Sequence, residues 1–302
     1  MAGKGGVGKT TVTAALARMA ADQGLDTLII DVDGKSGLAA LFERPPLSYE
    51  DAILLPRGGA GGEVRGRTLT PDDALLEYLD EHGMRRVSKR LVSSGALDVV
   101  STAVPGIKDI LILGKVKQLE QRDIADLIVL DAPAAGHAIT FLLAARALLD
   151  TVKVGPINTQ AQEVVELLAD PARAQVMLVT LPEETPVNEL VETAFHLEDR
   201  VGVSLGPVVV NGLYPELAGI DVDPSLAATD AGTTLRAGEG EALAAAAEFR
   251  QRRTALQHQQ LARLAEKLPL PQLRLPFLFR ADLGGDDLAT LASALRASVE
   301  AL

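Results

Sequence analysis

The first eleven residues contain glycines, lysines and threonines in an order that suits phosphate binding. The run Gly3-Lys4-Gly5-Gly6-Val7-Gly8-Lys9-Thr10-Thr11 matches the pattern G-x-x-x-x-G-K-[ST]. Glycines allow the backbone to wrap around a phosphate chain, so that successive N–H groups and a helix N-terminus point at it. We therefore expect a nucleotide here, with Lys9 on its β- and γ-phosphates and the Thr10 hydroxyl on Mg²⁺.

The residues on either side of this loop bear on the fold that holds it. After the loop, residues 11–21 place Val12 and Leu16 at helical spacing, as a phosphate-binding loop requires. Ahead of it stand only Met1 and Ala2, although such a loop normally follows a buried strand. Loss of a central strand would leave the backbone groups of two neighbouring strands unpaired. We therefore expect that a first strand is missing from this chain.

Two acidic residues alternate at the end of the next apolar run. The segment is Leu28-Ile29-Ile30-Asp31-Val32-Asp33-Gly34. In a strand, Asp31 and Asp33 would leave the tip on the same side. One of these two acids could orient an attacking water or hold a magnesium-bound water. The alternative is an ordinary strand-ending acid that caps a helix over residues 36–42.

A second apolar run, Leu127-Ile128-Val129-Leu130-Asp131, also ends in an acid. Asp131 is thereby a candidate for holding Mg²⁺ through its carboxylate. The following residues 132–137 form a small-residue loop that ends in His137 and is able to move with the γ-phosphate. A lone histidine in a loop is as often a helix cap as a phosphate sensor, so we assign His137 no catalytic role.

Short runs rich in Val and Ile recur between helical stretches and predict buried parallel strands. The predicted fold is α/β, a P-loop NTPase with a mostly parallel β-sheet, helices on both faces and a small helical insertion. Residues 1–302 are expected to form one ATPase domain, with 43–96 and 217–240 as insertion or loop regions and 44–70 as a loop. The predicted strands are 27–32, 97–101, 127–131, 176–181 and 208–211.

Composition narrows the classes of protein. The chain has 302 residues, of which 47% are hydrophobic and 23% charged, and its net charge is -12. This charge argues against a broad nucleic-acid surface. The absence of cysteine excludes disulfides, thiolate zinc sites, iron–sulfur clusters and thiol-based metalloid sites. Without an apolar run of about 18 residues or a signal peptide, the chain is expected to be cytoplasmic and to lack an integral membrane segment.

Several segments agree in order and spacing with one family of nucleotide-dependent proteins. They are Gly3-Lys4-Gly5-Gly6-Val7-Gly8-Lys9-Thr10-Thr11, Asp33-Gly34-Lys35-Ser36-Gly37-Leu38, Pro105-Gly106-Ile107-Lys108-Asp109, Asp131-Ala132-Pro133-Ala134-Ala135-Gly136-His137, Val208-Val209-Val210-Asn211 with Pro215, and Leu275-Pro276-Phe277. Together they resemble the ArsA-like ATPases, which include arsenical pump-driving ATPases and tail-anchored-protein targeting ATPases. The resemblance covers nearly the whole chain.

The resemblance implies an Mg²⁺-dependent ATPase that works as a dimer and switches a protein or membrane-transport partner. By this likeness Lys9 holds the β- and γ-phosphates, and Thr10 with Asp131 organises Mg²⁺. Asp33 positions or activates the water. Lys4 reaches across the dimer to the partner's phosphates, much as an arginine finger does.

The resemblance also assigns the nucleotide base. Asn211 corresponds to the family's adenine-binding asparagine, and Pro276 and Phe277 correspond to the segment that packs on the base. Adenine is favoured over guanine because the guanine-reading N-K-x-D pattern is absent and Gly212 follows the asparagine. The remaining residues assigned to nucleotide binding are Gly3, Gly5, Gly6, Val7, Gly8 and Thr11.

The chain departs from the family in two respects. The targeting ATPases close their dimer with paired cysteines around zinc, whereas residues 219–240 contain no cysteine. A zinc-clipped homodimer and metalloid activation through cysteines are therefore excluded. The targeting ATPases also build a methionine-rich groove for membrane segments, whereas this chain has four methionines. Targeting of tail-anchored proteins is for that reason not favoured.

Alternatives remain open at this stage. The chain is a homodimer or a heterodimer with a paralogue, and its protein client is unknown. Lys35 in the first switch, with Ala132 and Ala135 in the second, keeps open a regulatory subunit that binds nucleotide and hardly hydrolyses it. A MinD-like positioning ATPase would need a terminal amphipathic membrane helix, for which the alanine-rich residues 291–302 are a poor candidate.

Overall fold

The computed structural model describes residues 1–32, 37–55, 61–81, 83–94, 106–133 and 135–302. Every strand pair is parallel except β2 with β3, and the strand orders are β2-β3-β1-β4, β5-β7 and β6-β8-β9. The strands are β1 (Thr27–Val32), β2 (Ala52–Leu55), β3 (Val64–Leu69), β4 (Leu127–Asp131), β5 (Gln175–Val176), β6 (Val179–Thr180), β7 (Ser204–Leu205), β8 (Val208–Leu213) and β9 (Gln272–Pro276).

Helices connect most of these strands, as a parallel sheet requires. A π-helical turn, Leu197–Val201, directly follows the helix that ends at His196. The helices are α1 (Lys9–Asp22), α2 (Leu38–Leu41), α3 (Pro71–Glu81), α4 (Arg85–Ser94), α5 (Ile107–Gln121), α6 (Ala135–Thr151), α7 (Pro156–Ala169), α8 (Glu184–His196), α9 (Pro224–Asp230), α10 (Glu239–Lys267) and α11 (Gly285–Glu300).

Alternate residues of β1 show that helices cover both faces of the sheet. Leu28 and Ile30 are fully buried in a cluster with Ile110 of α5. Ile29 points to the opposite face and packs in a cluster with Leu288 of α11. Both faces of the strand are therefore apolar, which explains its uninterrupted run of aliphatic residues. The predicted α/β architecture with a mostly parallel sheet is confirmed.

The first two residues join two of the strand groups. The terminal amine of Met1 donates a hydrogen bond to the carbonyl oxygen of Leu130 at the end of β4, over 2.7 Å. On the other side, the Ala2 N–H donates to the Met177 oxygen over 2.9 Å, and the Val179 N–H donates to the Ala2 oxygen over 2.8 Å. Met1 and Ala2 therefore lie between β4 and β6, with the phosphate-binding loop directly after them.

An apolar cavity of about 400 Å³ lies next to Met1 and Ala2. Two strands line this cavity: β4, the last strand of the group β2-β3-β1-β4, and β5 of the group β5-β7. Side chains from α5, α6 and α7 close it. Two strand edges thus flank an apolar space in the middle of the fold. The aliphatic residues that line it include Leu113, Leu127, Val129, Leu142, Val164 and Val176.

The strand predictions have mixed outcomes. The strands predicted at 27–32 and 127–131 form with those bounds as β1 and β4. The run 176–181 is divided into β5 and β6, and β8 continues beyond the predicted 208–211. The strand predicted at 97–101 lies outside the described residues.

The expectation that residues 44–70 form a loop is wrong. This segment contains β2 and β3, and β3 pairs in parallel with β1 along its whole length. The sequence pattern does not indicate β3, because Arg67 interrupts its apolar residues. Arg67 is nevertheless only 9% exposed. The Arg67 guanidinium lies 4.8 Å from the centre of the Tyr49 ring and 3.4 Å from the Asp51 carboxylate, which compensates its burial.

The C-terminal helix is part of the core. In α11, Leu288, Leu291 and Leu295 are at most 2% exposed, and the helix packs on α1 and β9. Its apolar face is therefore used inside the protein. Among the helices of the described ranges, none has the length and apolarity needed to span a membrane.

A partly buried ion pair joins α3 to α5. Lys115 of α5 is 8% exposed and donates to Glu77 of α3 over 2.5 Å, and the Tyr49 hydroxyl donates to the second oxygen of the same carboxylate. Burial by itself raises the pKa of Glu77, but these hydrogen bonds outweigh it and bring the pKa below its usual value. The ionised carboxylate therefore stabilises the folded state.

We predict that Glu77→Gln lowers the free energy of unfolding by about 2 kcal/mol at pH 7, because Lys115 keeps its buried charge without an ionised partner. Glu81→Gln, on the exposed end of the same helix, is the control and should cost less than about 0.5 kcal/mol. Because the Glu77 pKa is lowered in the folded state, the difference between parent and variant should shrink as the pH falls below about 4. Urea unfolding at pH 7 and at about pH 3 measures both effects, and equal losses in the two variants would contradict the assignment.

Candidate functional site

The phosphate-binding loop lies between the Met1–Ala2 bridge and α1. Gly8 closes the loop with a left-handed φ of 87°, and Lys9 begins α1. The N–H groups of a first helical turn have no partners within the helix and carry partial positive charge. A loop of small residues ahead of such a turn is suited to an anion.

Two of the loop glycines are required by their neighbours. A Cβ atom on Gly3 would lie 2.3 Å from the Val179 carbonyl oxygen, and one on Gly8 would lie 2.4 Å from the side-chain nitrogen of Asn211. Neither distance is possible for a real side chain. The loop therefore packs directly against the strand group β6-β8-β9, which carries both Val179 and Asn211.

Lys9, Thr10 and Asp131 form the polar centre of the site. The Thr10 hydroxyl donates to Oδ2 of Asp131 over 2.7 Å. The other oxygen of Asp131, Oδ1, is buried and has no hydrogen-bond partner within the described part of the chain. The Lys9 ammonium donates to the Lys4 carbonyl oxygen over 3.2 Å, which places it over the loop.

Burial shifts the ionisation of both charged groups in this centre. Burial raises the pKa of Asp131, and the hydrogen bond from Thr10 and the charge of Lys9 act in the opposite direction. Burial lowers the pKa of Lys9, against the attraction of Asp131. A cation beside Asp131 would favour the ionised carboxylate, and phosphates beside Lys9 would favour the charged ammonium.

The residues present suit Mg²⁺. This ion prefers oxygen ligands in octahedral geometry and is usually held by one or two protein groups together with water and phosphate oxygens. The Thr10 hydroxyl and the free Oδ1 of Asp131 are oxygen donors of that kind. Within the described ranges there is no group of three or more His, Cys, Asp or Glu residues that would hold a metal by itself.

Lys4 makes an ion pair inside its own chain. Its ammonium lies 2.7 Å from Oε1 of Glu189 in α8, and both side chains are about 40% exposed. No sequence pattern connects these residues, which stand 185 positions apart. Glu189 is therefore a site residue that only the structure identifies.

The predicted base-binding residues lie together at the other end of the loop. Asn211 donates from its side-chain nitrogen to the Val7 carbonyl oxygen over 3.0 Å. Pro276 ends β9, and the N–H of Phe277 donates to the carbonyl oxygen of Leu213 over 2.7 Å. The phosphate-binding and base-binding segments are therefore in direct contact.

Aromatic residues that sequence reasoning missed surround Phe277. The ring centres of Tyr214 and Phe279 lie 5.3 Å and 4.8 Å from that of Phe277. Phe277 and Phe279 are 40% and 60% exposed. Exposed rings next to Asn211 offer a surface on which a planar base can stack.

The structure gives less information on the other predicted residues. Asp33 and Lys35 lie outside the described residues, so the role of Asp33 stays a prediction. Thr11 lies in the first turn of α1, and His137 is exposed near the start of α6. The site that the structure does describe can hold a triphosphate along the loop, a hard cation at Asp131 and a base beside Asn211.

Comparisons with known proteins identify the family of this chain. The sequence profile of a family described as Anion-transporting ATPase matches residues 1–157. The chain is 36% identical over 220 residues to the ATPase BagA of Mycobacterium tuberculosis, an alignment that covers 70% of this chain and 64% of BagA. It is 28% identical over 211 residues to an arsenical pump-driving ATPase of Escherichia coli, covering 69% of this chain and 33% of that protein.

A plant protein is a further relative: ATPase GET3C of Arabidopsis thaliana is 27% identical over 157 residues, covering 47% of this chain and 39% of that protein. The chain thus spans less than two thirds of the length of the relatives that it matches. The profile match over half of the chain and the 36% identity to BagA show the family. The chain belongs to the anion-transporting ATPase family.

Proposed function

We propose that this protein is an Mg²⁺-dependent ATPase that acts in the cytoplasm as a dimeric switch on a protein or membrane-transport partner. The observation that carries the proposal is the buried Thr10–Asp131 pair, which leaves one carboxylate oxygen free beneath a glycine loop and beside Lys9. Residues 1–302 act as one ATPase domain, in which 43–96 and 217–240 are insertions.

The chain's own residues divide the work between binding and positioning. The loop N–H groups and Lys9 bind the phosphates and hold the γ-phosphate in line for attack. Thr10 and Asp131 hold Mg²⁺, which when bound neutralises the charge that develops on the phosphate oxygens. Asp33 orients the water, and Asn211 with Pro276 and Phe277 holds the adenine base.

Lys4 gives the reaction its dependence on a second subunit. In this proposal it leaves Glu189 and reaches the phosphates bound by the partner, where its charge stabilises the transition state. The ion pair with Glu189 keeps Lys4 away from any phosphate until the dimer closes. Hydrolysis thereby reports that two loaded subunits have met, and a partner protein can respond to that state.

One further candidate function has an observation in its favour. Because Lys4 is held by Glu189, a subunit that binds ATP and hardly hydrolyses it is a consistent alternative, within a heterodimer with a catalytic paralogue. The two candidates differ in turnover and agree in ATP binding.

We also propose that the cavity between β4 and β5 accommodates one more extended apolar segment, placed ahead of Met1 and parallel to both strands. Its walls are mainly aliphatic, although Glu120 and Arg173 also line it, and two strand edges flank it. A strand there would therefore gain hydrogen bonds and apolar contacts together. The Met1 amine also supports this proposal, since burial lowers its pKa to about 6. A peptide N–H in its place would avoid burying a charge.

We predict that adding Val-Ile-Ile-Val in front of Met1 raises the free energy of unfolding by at least about 3 kcal/mol through apolar burial. A Ser-Gly-Ser-Gly extension of equal length is the matched control, because it also moves the charged amine away from Met1 but supplies no apolar side chain. Because the parent's amine has a lowered pKa in the folded state, the parent alone should gain stability as the pH rises from 6 to 8. Equal stabilisation by both extensions in urea unfolding would refute the proposal.

The proposed activity predicts distinct effects for the two lysines. ATP hydrolysis with Mg²⁺, measured over a series of protein concentrations, should show a specific activity that rises with concentration. Lys9→Ala should weaken both ATP binding and turnover. Lys4→Ala should keep ATP binding within about twofold and lower turnover by at least about a hundredfold, as expected for a charge that acts only in the transition state.

Lys89→Ala, on the exposed face of α4, is the matched control and should behave as the parent does. Equal turnover in Lys4→Ala and parent would defeat the cross-dimer role. ATP binding without turnover at any concentration would favour the regulatory subunit, and absence of ATP binding would refute both candidates.

The Lys4–Glu189 pair predicts a gain of activity. Glu189→Gln should raise the specific activity about two- to fivefold at low protein concentration, since an exposed ion pair is worth at most about 1 kcal/mol. Glu192→Gln, on the exposed face of the same helix, should have no effect. Initial rates below the half-activating concentration measure the difference, and a rate in Glu189→Gln at or below that of the parent would contradict the restraint.

A further inference from the structure

The chain after Asn211 departs from regular sheet pairing. The register between β8 and β9 shifts between Val210 and Leu213. Gly212, inside this shift, has a left-handed φ of 77°. An irregularity of this kind takes backbone groups out of the ladder, so they need hydrogen-bond partners from elsewhere.

Gln257 of α10 supplies two such partners. Its Nε2 donates to the carbonyl oxygen of Gly212 over 3.1 Å, and its Oε1 accepts from the N–H of Tyr214 over 2.9 Å. The side chain is 2% exposed. An amide with both ends bonded inside the protein is fixed in orientation, and it fixes in turn the path of the backbone that it contacts.

Arg250 contacts the same connection from two turns earlier on α10. Its guanidinium lies 4.6 Å from the centre of the Tyr214 ring and 4.9 Å from that of Phe279, and it donates to the Pro215 carbonyl oxygen over 2.7 Å. Residues seven apart lie on one face of a helix. One face of α10 therefore holds both the backbone and the aromatic rings beyond Asn211.

This connection continues directly into the base-binding residues. Asn211 precedes Gly212 and touches the phosphate-binding loop through Val7. A Cβ on Gly212 would lie 3.7 Å from the Phe277 ring, so the turn and the ring are in contact distance. A change in the path at Gly212 would therefore move the asparagine amide and the ring together.

We propose that Gln257, with Arg250, is a positioning residue for recognition of the nucleotide base. It sets the direction of the Asn211 amide and the separation of Asn211 from Phe277. These two features determine how much a purine base adds to the affinity of the ligand. This inference rests on the proposed binding of ATP. It adds that the affinity for the base depends on a helix that does not itself touch the nucleotide.

A purely structural role for Gln257 has a different signature. Loss of a buried hydrogen-bonding amide that only stabilises the fold would affect all ligands of the site alike. A positioning role affects ATP and spares a ligand that has phosphates without a base. Tripolyphosphate is that ligand, since it would use the loop and Lys9 alone.

The experiment measures the Kd of ATP, GTP and tripolyphosphate with Mg²⁺ by calorimetry, on the full chain. Gln257→Met keeps the side-chain volume and removes both hydrogen bonds. Arg250→Gln tests the same face from a partly exposed position, and Gln259→Met, on the exposed side of α10, is the matched control. Circular dichroism melting confirms that each variant is folded at the temperature of the titration.

For Gln257→Met we expect ATP binding to weaken about tenfold or more, the preference for ATP over GTP to fall, and tripolyphosphate binding to stay within about twofold of the parent. Arg250→Gln should change ATP binding in the same direction, and Gln259→Met should change none of the constants. Equal weakening of ATP and tripolyphosphate, or unchanged ATP binding in both folded variants, would overturn the inference. A parent chain that binds tripolyphosphate and ATP equally would overturn it too, whereas a parent that binds neither would refute the proposed function itself.

Discussion

The backbone hydrogen bonds of Met1 and Ala2 hold the phosphate-binding loop between two groups of strands. Because the strands on both sides run parallel to this bridge, their carboxyl ends meet at one edge of the fold. Asp131 ends the strand on one side, and Asn211 lies near the end of a strand on the other. The residues proposed to contact the cation, the phosphates and the base therefore converge without any long connecting segment, and their arrangement depends on the alignment of the bridge.

Close packing then joins the two ends of this edge. Gly8 has no room for a side chain because the amide of Asn211 occupies that space. The phosphate end and the base end of the site are therefore one packed unit. Its polar groups are satisfied by residues from elsewhere in the chain: Glu189 for Lys4, and Gln257 for the turn after Asn211.

Sequence reasoning succeeded where a local run of residues determines the structure. The loop, β1 and β4 are each short, contiguous patterns with one dominant physical requirement, so Lys9, Thr10 and Asp131 could be placed before any coordinates. It failed where arginines interrupt an apolar pattern, as at Arg67 in β3. It also had no access to the Lys4–Glu189 and Gln257 contacts, because partners 185 or about 45 positions apart leave no periodic signal in a single sequence.

The position of α8 connects the phosphate-binding loop to α10. Glu183, just ahead of the helix, binds Arg253 of α10, and Asn188 within the helix binds Arg263. Glu189 of the same helix binds Lys4 of the loop. Departure of Lys4 would leave a negative charge on a helix end that α10 holds through its arginines. Charges this exposed are screened over about 10 Å at 0.1 M salt. Ionic strength would therefore set the strength of the electrostatic coupling between the loop and α10, while the apolar core of the sheet stays unchanged.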